Sequence, residues 1–180
     1  MYQDTDESTC VPICIHIVLK IMQNQIDGIP DLSWKKIADL IETDSDGTPL
    51  GSNIENINKK MITTIPHYEF FIDYSGLRWR TIIEDIHHEN PLKTPVIAMI
   101  GQYDSQELAW MPHAVVILQA SNTSTTYFDP FYGEMTEPTN AFFRKWLALD
   151  RFCVRLKHVP RTQRILEEYN DQRSRGPTHE

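Results

Sequence analysis

Cysteine is the side chain in this sequence best suited to covalent chemistry, and its three copies, Cys10, Cys14 and Cys153, stand in different surroundings. Cys10 begins the run CVPICIHIVLKIMQ. At the N-terminus of a helix, the partial positive charge of unpaired backbone N–H groups favours a thiolate, which can attack a carbonyl carbon. A lone cysteine is more often a small packing residue, so a catalytic reading needs an imidazole brought to it by the fold. Among the seven histidines, His113 alone opens an apolar strand, HAVVILQ, where a rigid sheet would hold its ring at the sheet end. Asp129 ends the following strand, in YFDPFYG. An antiparallel pair joined by a short turn brings the start of one strand beside the end of the next, so His113 and Asp129 are expected to meet. A carboxylate so placed orients an imidazole. Cys14, one turn further into the helix, and Cys153 read as packing.

These residues need elements to hold them. In CVPICIHIVLKIMQ the polar residues His16, Lys20 and Gln23 recur at i, i+4 and i+7 and Pro12 suits a first turn, so the run reads as a helix buried on most sides, with a β-strand the competing reading. SWKKIADLIE, from Ser33 to about Glu42, is an amphipathic helix with Trp34, Ile37, Leu40 and Ile41 on one face. Ser52 and Glu55 form a capping-box pattern ahead of a short helix carrying Ile54, Ile57 and Met61. HYEFFID reads as a strand and LRWRTIIEDIHHEN as a helix stopped by Pro91. In the second half PVIAMIG, HAVVILQA and TTYFDP read as successive strands, with SNTST turning between the last two. Thr139 caps a helix to about Leu149, RFCVRLK alternates as a strand, and the last twenty residues form a charged helix and disordered tail. Helices first and strands later is an α+β order.

Composition narrows the functions. The chain has 180 residues, enough for one core, with 17 Lys and Arg against 25 Asp and Glu for a net charge of −8, which opposes a nucleic-acid surface. An odd count of three cysteines gives no disulfide framework. The acidic start MYQDTDESTC is unlike a signal peptide, and no run reaches the roughly 18 apolar residues of a membrane span, so a cytoplasmic protein with reduced thiols is expected. His87 and His88 are adjacent on their helix and point about 100° apart, which does not suit one metal ion; a solvated helix end explains them. The Cys10 to Cys14 spacing matches neither zinc nor redox motifs, and no metal is expected. Tyr103 and Trp110 flank the loop before His113 and are the aromatic candidates for a substrate wall.

DESTCVPICIHIVLKIM resembles the cysteine-helix motif of papain-like peptidases in the bacteriocin-processing, double-glycine-leader branch. HAVVILQ, then YFDPFYG, then an aromatic helix ending FRKW is similar to that branch's His strand, Asp-Pro strand and following helix, in the same order. The resemblance runs from about Gln3 to Leu156. It implies a papain-like α+β fold over residues 1–158, with a buried cysteine helix packed on a mainly antiparallel sheet from the C-terminal half; residues 159–180 are read from their own sequence as a C-terminal helix and tail. It further implies Cys10 as nucleophile, His113 as general base and acid, Asp129 as the residue orienting His113, and Gln3 as oxyanion-hole donor beside the Cys10 backbone N–H. Gln3 stands seven residues ahead of Cys10 where six is usual, Asp4 takes the usual place, and Val11 stands where many relatives have glycine.

The function expected is a cysteine hydrolase cutting a peptide or amide bond of a peptide or protein substrate through an acyl-enzyme, without metal or organic cofactor. The same fold supports acyl transfer to an amine. The Gln3 spacing and Val11 raise a third reading, a catalytically impaired binding or regulatory domain. Oligomeric state is not legible.

Overall fold

A computed structural model describes residues 7–26, 28–48, 50–72, 95–104 and 109–159. The LRWRTIIEDIHHEN helix, with His87 and His88, and the C-terminal helix and tail lie outside the described residues, as do Gln3 and Asp4.

The cysteine run is a helix, α1 (Cys10–Gln23), entered from a short 3-10 turn over Glu7–Thr9. Pro12 falls in its first turn, where the missing N–H has no intrahelical partner to lose. Nine of its fourteen residues are buried, which explains why so many β-branched side chains are tolerated: tertiary packing outweighs propensity. The His16 ring Nδ1 donates to the Leu32 carbonyl at 2.6 Å and ties α1 to the segment entering α2 (Trp34–Ile41). Ser33 caps α2, its hydroxyl accepting from the Lys36 N–H. The next helix, α3 (Leu50–Met61), begins earlier than the Ser52–Glu55 pattern suggests, so Ser52 lies within its first turn and the expected capping box is not the helix start. Asn58 joins α3 to the first strand, β1 (Tyr68–Ile72): its amide donates to the Phe70 carbonyl at 2.6 Å and its carbonyl accepts from the Phe70 N–H at 2.7 Å.

The other strands are β2 (Val96–Asp104), β3 (Ala109–Ala120), β4 (Ser124–Asp129), β5 (Gly133–Pro138) and β6 (Cys153–His158). They form one six-stranded sheet in the order β1-β6-β2-β3-β4-β5, antiparallel at every pairing. The helix over Thr139–Leu147, α4, follows β5. One face of the sheet packs on α1 to α3 through Phe70, Ile97, Ala114, Val116, Val154 and Leu156. The other face, with Val96, Ala98, Val115 and Ile117, is covered by Phe142 and Trp146 of α4. The fold is α+β as expected, with β1 supplied by the first half of the chain.

Three local features differ from the sequence reading. β3 starts four residues before His113, at Ala109, so His113 lies inside the strand and Tyr103 and Trp110 are cross-strand partners within the β2–β3 ladder. Pro112 disguises this extension, because a residue without an N–H argues against a strand interior. It is accommodated because its partner is Gly101 on β2, while β4 pairs with β3 only from Val116 onward. Secondly, β5 has no apolar alternation and is mostly exposed, so its existence depends on pairing with β4, which includes a Thr126–Thr136 hydroxyl contact of 2.9 Å. Thirdly, Thr139 is the first residue of α4 and not its cap; Pro138 holds that place. The Thr139 hydroxyl donates to the Ser121 carbonyl at 2.8 Å and meets the Thr125 hydroxyl at 3.1 Å, fastening the helix start to the β3–β4 turn.

Candidate active site

His113 and Asp129 meet because β3 and β4 form a hairpin with a fixed register. Val116 is opposite Phe128, and continuing the ladder leaves Asp129 one diagonal step from His113. The His113 Nε2 lies 3.0 Å from Asp129 Oδ2, and both side chains are buried. The second oxygen, Asp129 Oδ1, accepts from the backbone N–H groups of Phe131 at 2.8 Å and Tyr132 at 3.2 Å. A carboxylate that accepts from residues two and three further on closes its own turn, so the DPFY sequence both ends β4 and aims the side chain. Phe131 also stacks on the imidazole, ring centroids 5.1 Å apart and planes 15° from parallel. The ring is thus fixed by its neighbour in the sheet, by the turn and by an aromatic face.

The start of α1 completes the cluster. Cys10 stands near enough to the His113 ring to act on its titration. Burial works against a charged imidazole, but the hydrogen bond to Asp129 and the nearby Cys10 side chain, with the charges of both groups, raise the His113 pKa from 6.5 to about 9. For Asp129 burial favours the neutral acid, and the His113 hydrogen bond, the His113 charge and the two backbone N–H groups outweigh it and hold the carboxyl below its usual 3.8. Cys14 is fully enclosed, and its thiol is pushed well up by burial, then by the charges of Cys10 and Asp129. At neutral pH the pair is an imidazolium and a carboxylate, with a thiol-bearing helix start against the imidazolium.

A cavity of about 390 Å³ opens beside Cys10. One rim is the loop between α2 and α3, where the Gly47 N–H donates to the Asp44 carbonyl at 3.1 Å, the Asp46 N–H donates to Asp44 Oδ1 at 2.9 Å, and the Thr43 and Thr48 hydroxyls are 2.6 Å apart. Gly47 holds φ +85°, and a Cβ there would touch the Ser8 backbone at 3.5 Å. The turn that sets the rim therefore needs glycine and packs closely on the residues leading into Cys10. Val11, at 2% exposure, is part of the cavity wall.

Of the residues singled out from sequence, Cys10, His113 and Asp129 come together. Tyr103 and Trp110 are placed opposite each other in the ladder, and Gln3 lies outside the described residues. Phe131 and the Asp46–Thr48 rim were not anticipated; the Asp-Pro-Phe turn and the TDSDGTPLG run were the signals available. Among the described residues no group of three or more His, Cys, Asp or Glu side chains is arranged to hold a metal ion, and no helix is long and apolar enough to cross a membrane.

A sheet with helices on both faces is the fold shared by solved structures that resemble this chain. One is the peptidase domain of Streptococcus ComA, a bifunctional ABC transporter involved in a quorum-sensing pathway, which is 18% identical with a TM-score of 0.57 and is matched over 88% of this chain and 96% of its own. Another, assigned as a C39-like peptidase from Bacillus anthracis, is 12% identical with a TM-score of 0.57, over 86% of this chain and 90% of its own. No protein-family model matches the sequence, and no curated protein matches it significantly.

Proposed function

We propose that the protein is a cysteine peptidase in which Cys10 is the nucleophile, His113 the proton carrier and Asp129 the group that orients His113. The observation carrying this reading is the buried His113–Asp129 hydrogen bond of 3.0 Å with Cys10, at the head of its helix, beside His113 and lining an open cavity. Having given its proton to His113, Cys10 Sγ attacks the carbonyl carbon of a peptide bond while the carbonyl oxygen takes up negative charge facing the Cys10 backbone N–H at the head of α1. Gln3 is the second donor expected for that oxygen. Collapse of the intermediate breaks the C–N bond, and His113, protonated at neutral pH, gives its proton to the leaving amine. The neutral ring then takes a proton from water as the water oxygen attacks the thioester. Loss of the Cys10 sulfur releases a carboxylic acid and restores the starting state.

The test is a peptide library incubated with the protein and with its Cys10→Ala variant, read by mass spectrometry. Cleavage products made only by the unaltered protein are expected. Identical product profiles from the two proteins would sink the assignment.

A further inference from the structure

Cys14 is a buried nucleophilic group that the proposed mechanism does not use. It lies on α1 four residues after Cys10, and both are free thiols. Residues four apart on a helix share one face, so helix geometry sets their Cα atoms about 6 Å apart and their Cβ atoms roughly 5–6 Å apart. The first distance falls inside the roughly 4.4–6.8 Å that a disulfide spans; the second exceeds the roughly 3.5–4.5 Å it needs, so closing the bond takes a shift of about 1 Å. Cys10 is placed to make that shift. It is the first residue of α1, its N–H lies outside the intrahelical ladder, and Thr9 supplies no side-chain cap hydrogen bond. Cys14 lies close enough to Cys10 for the Cys10 charge to act on it. Cys153 packs on the opposite face of the sheet, which leaves Cys10 and Cys14 as the pair. Their spacing is one residue longer than the C-x-x-C of thioredoxin-type sites, so helix geometry and not a motif identifies them. Access separates the two. Cys10 keeps 7% exposure and lines the cavity, whereas Cys14 has none, so a small oxidant reaches the first thiol and not the second.

Resting on the peptidase reading above for the reactivity of Cys10, we propose that Cys10 and Cys14 form a reversible redox pair, in which Cys14 resolves the nucleophile once hydrogen peroxide or an organic hydroperoxide has oxidised it. The Cys10 sulfur attacks the hydroxyl-bearing oxygen of the peroxide and the O–O bond breaks. Cys10 becomes a sulfenic acid, and the other oxygen leaves as water or an alcohol with the proton that Cys10 had given to His113. The Cys14 sulfur then attacks the Cys10 sulfur, the S–O bond breaks, and the departing hydroxide takes the Cys14 proton to leave as water. The peroxide gains two electrons and the two thiols lose them. The disulfide removes the nucleophile and so switches the site off. It also keeps the Cys10 sulfur from further oxidation to a sulfinic acid, which thiols do not reverse. A dithiol reductant restores both thiols by exchange through a mixed disulfide.

The experiment treats the full chain with hydrogen peroxide in modest excess, denatures it in N-ethylmaleimide, and reads the digested peptides by mass spectrometry. The peptide holding Cys10 and Cys14 is expected to lose two hydrogens and to carry no maleimide, while Cys153 stays alkylated. Dithiothreitol added before the maleimide should return two adducts to that peptide. Cys14→Ala under the same treatment should accumulate sulfinic Cys10 that dithiothreitol does not reverse. Sulfinic Cys10 beside an alkylated Cys14 in the unaltered protein, no oxidation at Cys10, or full recovery of Cys10 in a folded Cys14→Ala variant overturns the pair. Should that variant fail to fold, the mass of the unaltered peptide decides alone. A disulfide that forms in a protein that cuts no peptide sinks the peptidase reading and leaves the redox pair standing. Peptide cleavage by a protein whose two thiols both stay alkylated after peroxide does the reverse.

Discussion

Cys10 and Cys153 are both buried thiols, on opposite faces of one sheet. Cys153 is fully enclosed in the core under α4, among Val96, Ala98, Phe142 and Trp146. The polar groups around that core are matched to each other: Thr125 with Thr139, Trp146 Nε1 with the Phe152 carbonyl, and Lys145 with Glu137 at 2.9 Å. Cys10 retains 7% exposure, stands at a helix start, and faces a histidine on one side and a cavity on the other. Burial alone does not make a thiol reactive. What separates the two thiols is that Cys10 heads a helix and lines an opening through which a carbonyl can arrive, while Cys153 is fully enclosed.

The comparison breaks most directly on turnover. Cys10→Ala is expected to lower kcat/KM by at least about 10⁴-fold, the scale of losing a nucleophile, while Cys153→Ala should leave kcat/KM within a few-fold and lower stability by about 1 kcal/mol through lost packing. A Cys10→Ala protein that still cuts, measured with the best peptide of the library, would move the chemistry elsewhere.

Asp129→Asn is the next largest change, about 10²-fold to 10⁴-fold in kcat, because the imidazole loses the charge that orients it and supports its protonated form. The pH profile sharpens this. With the His113 pKa at about 9, activity should fall as pH rises through that value, since a neutral ring has no proton for the leaving amine. Removing Asp129 should move that limb down toward 6.5. The folded-state pKa of His113 lies above the unfolded one, so its contribution to stability is complete below about 6.5 and is lost as pH climbs through about 9. Asp129 behaves oppositely: its carboxyl is held below 3.8, so its contribution is present above that value and disappears at lower pH. Thermal melts from pH 3 to pH 10 should therefore fall at both ends, and His113→Ala should flatten the alkaline fall.

Alkylation sharpens the comparison on a smaller scale. Iodoacetamide at neutral pH should label Cys10 about ten times faster than Cys14 or Cys153, as read by mass spectrometry of digested protein, and His113→Ala should remove the excess. Equal rates at all three thiols would mean that the two faces do not differ in reactivity. The smallest effect is expected at the rim. Gly47→Ala places a Cβ at φ +85° against Ser8 and should cost about 1 kcal/mol in denaturant unfolding, with a modest rise in KM.

Periodic elements were the most legible part of the sequence. The polar spacing of α1, the capped α2 and the apolar strands β2 and β3 could be read directly because each buries a regular face or runs apolar throughout. β5 could not, since its residues carry no burial pattern and its pairing comes only from β4. Pro112 hid the first four residues of β3 for a related reason: whether a missing N–H matters depends on which neighbour lies on that side.

Residue types and hairpin logic thus determined which thiol, imidazole and carboxylate to consider, because strand order and turn length follow from local pattern. Tertiary structure decided what they can do. Only the packed molecule seats Phe131 on the His113 ring, gives Asp129 two backbone donors, and brings Leu50, Met99 and Phe152 from distant parts of the chain to wall one cavity. Burial and long-range contact set the charge state of His113 and the size of that cavity, and neither quantity is encoded in local sequence spacing.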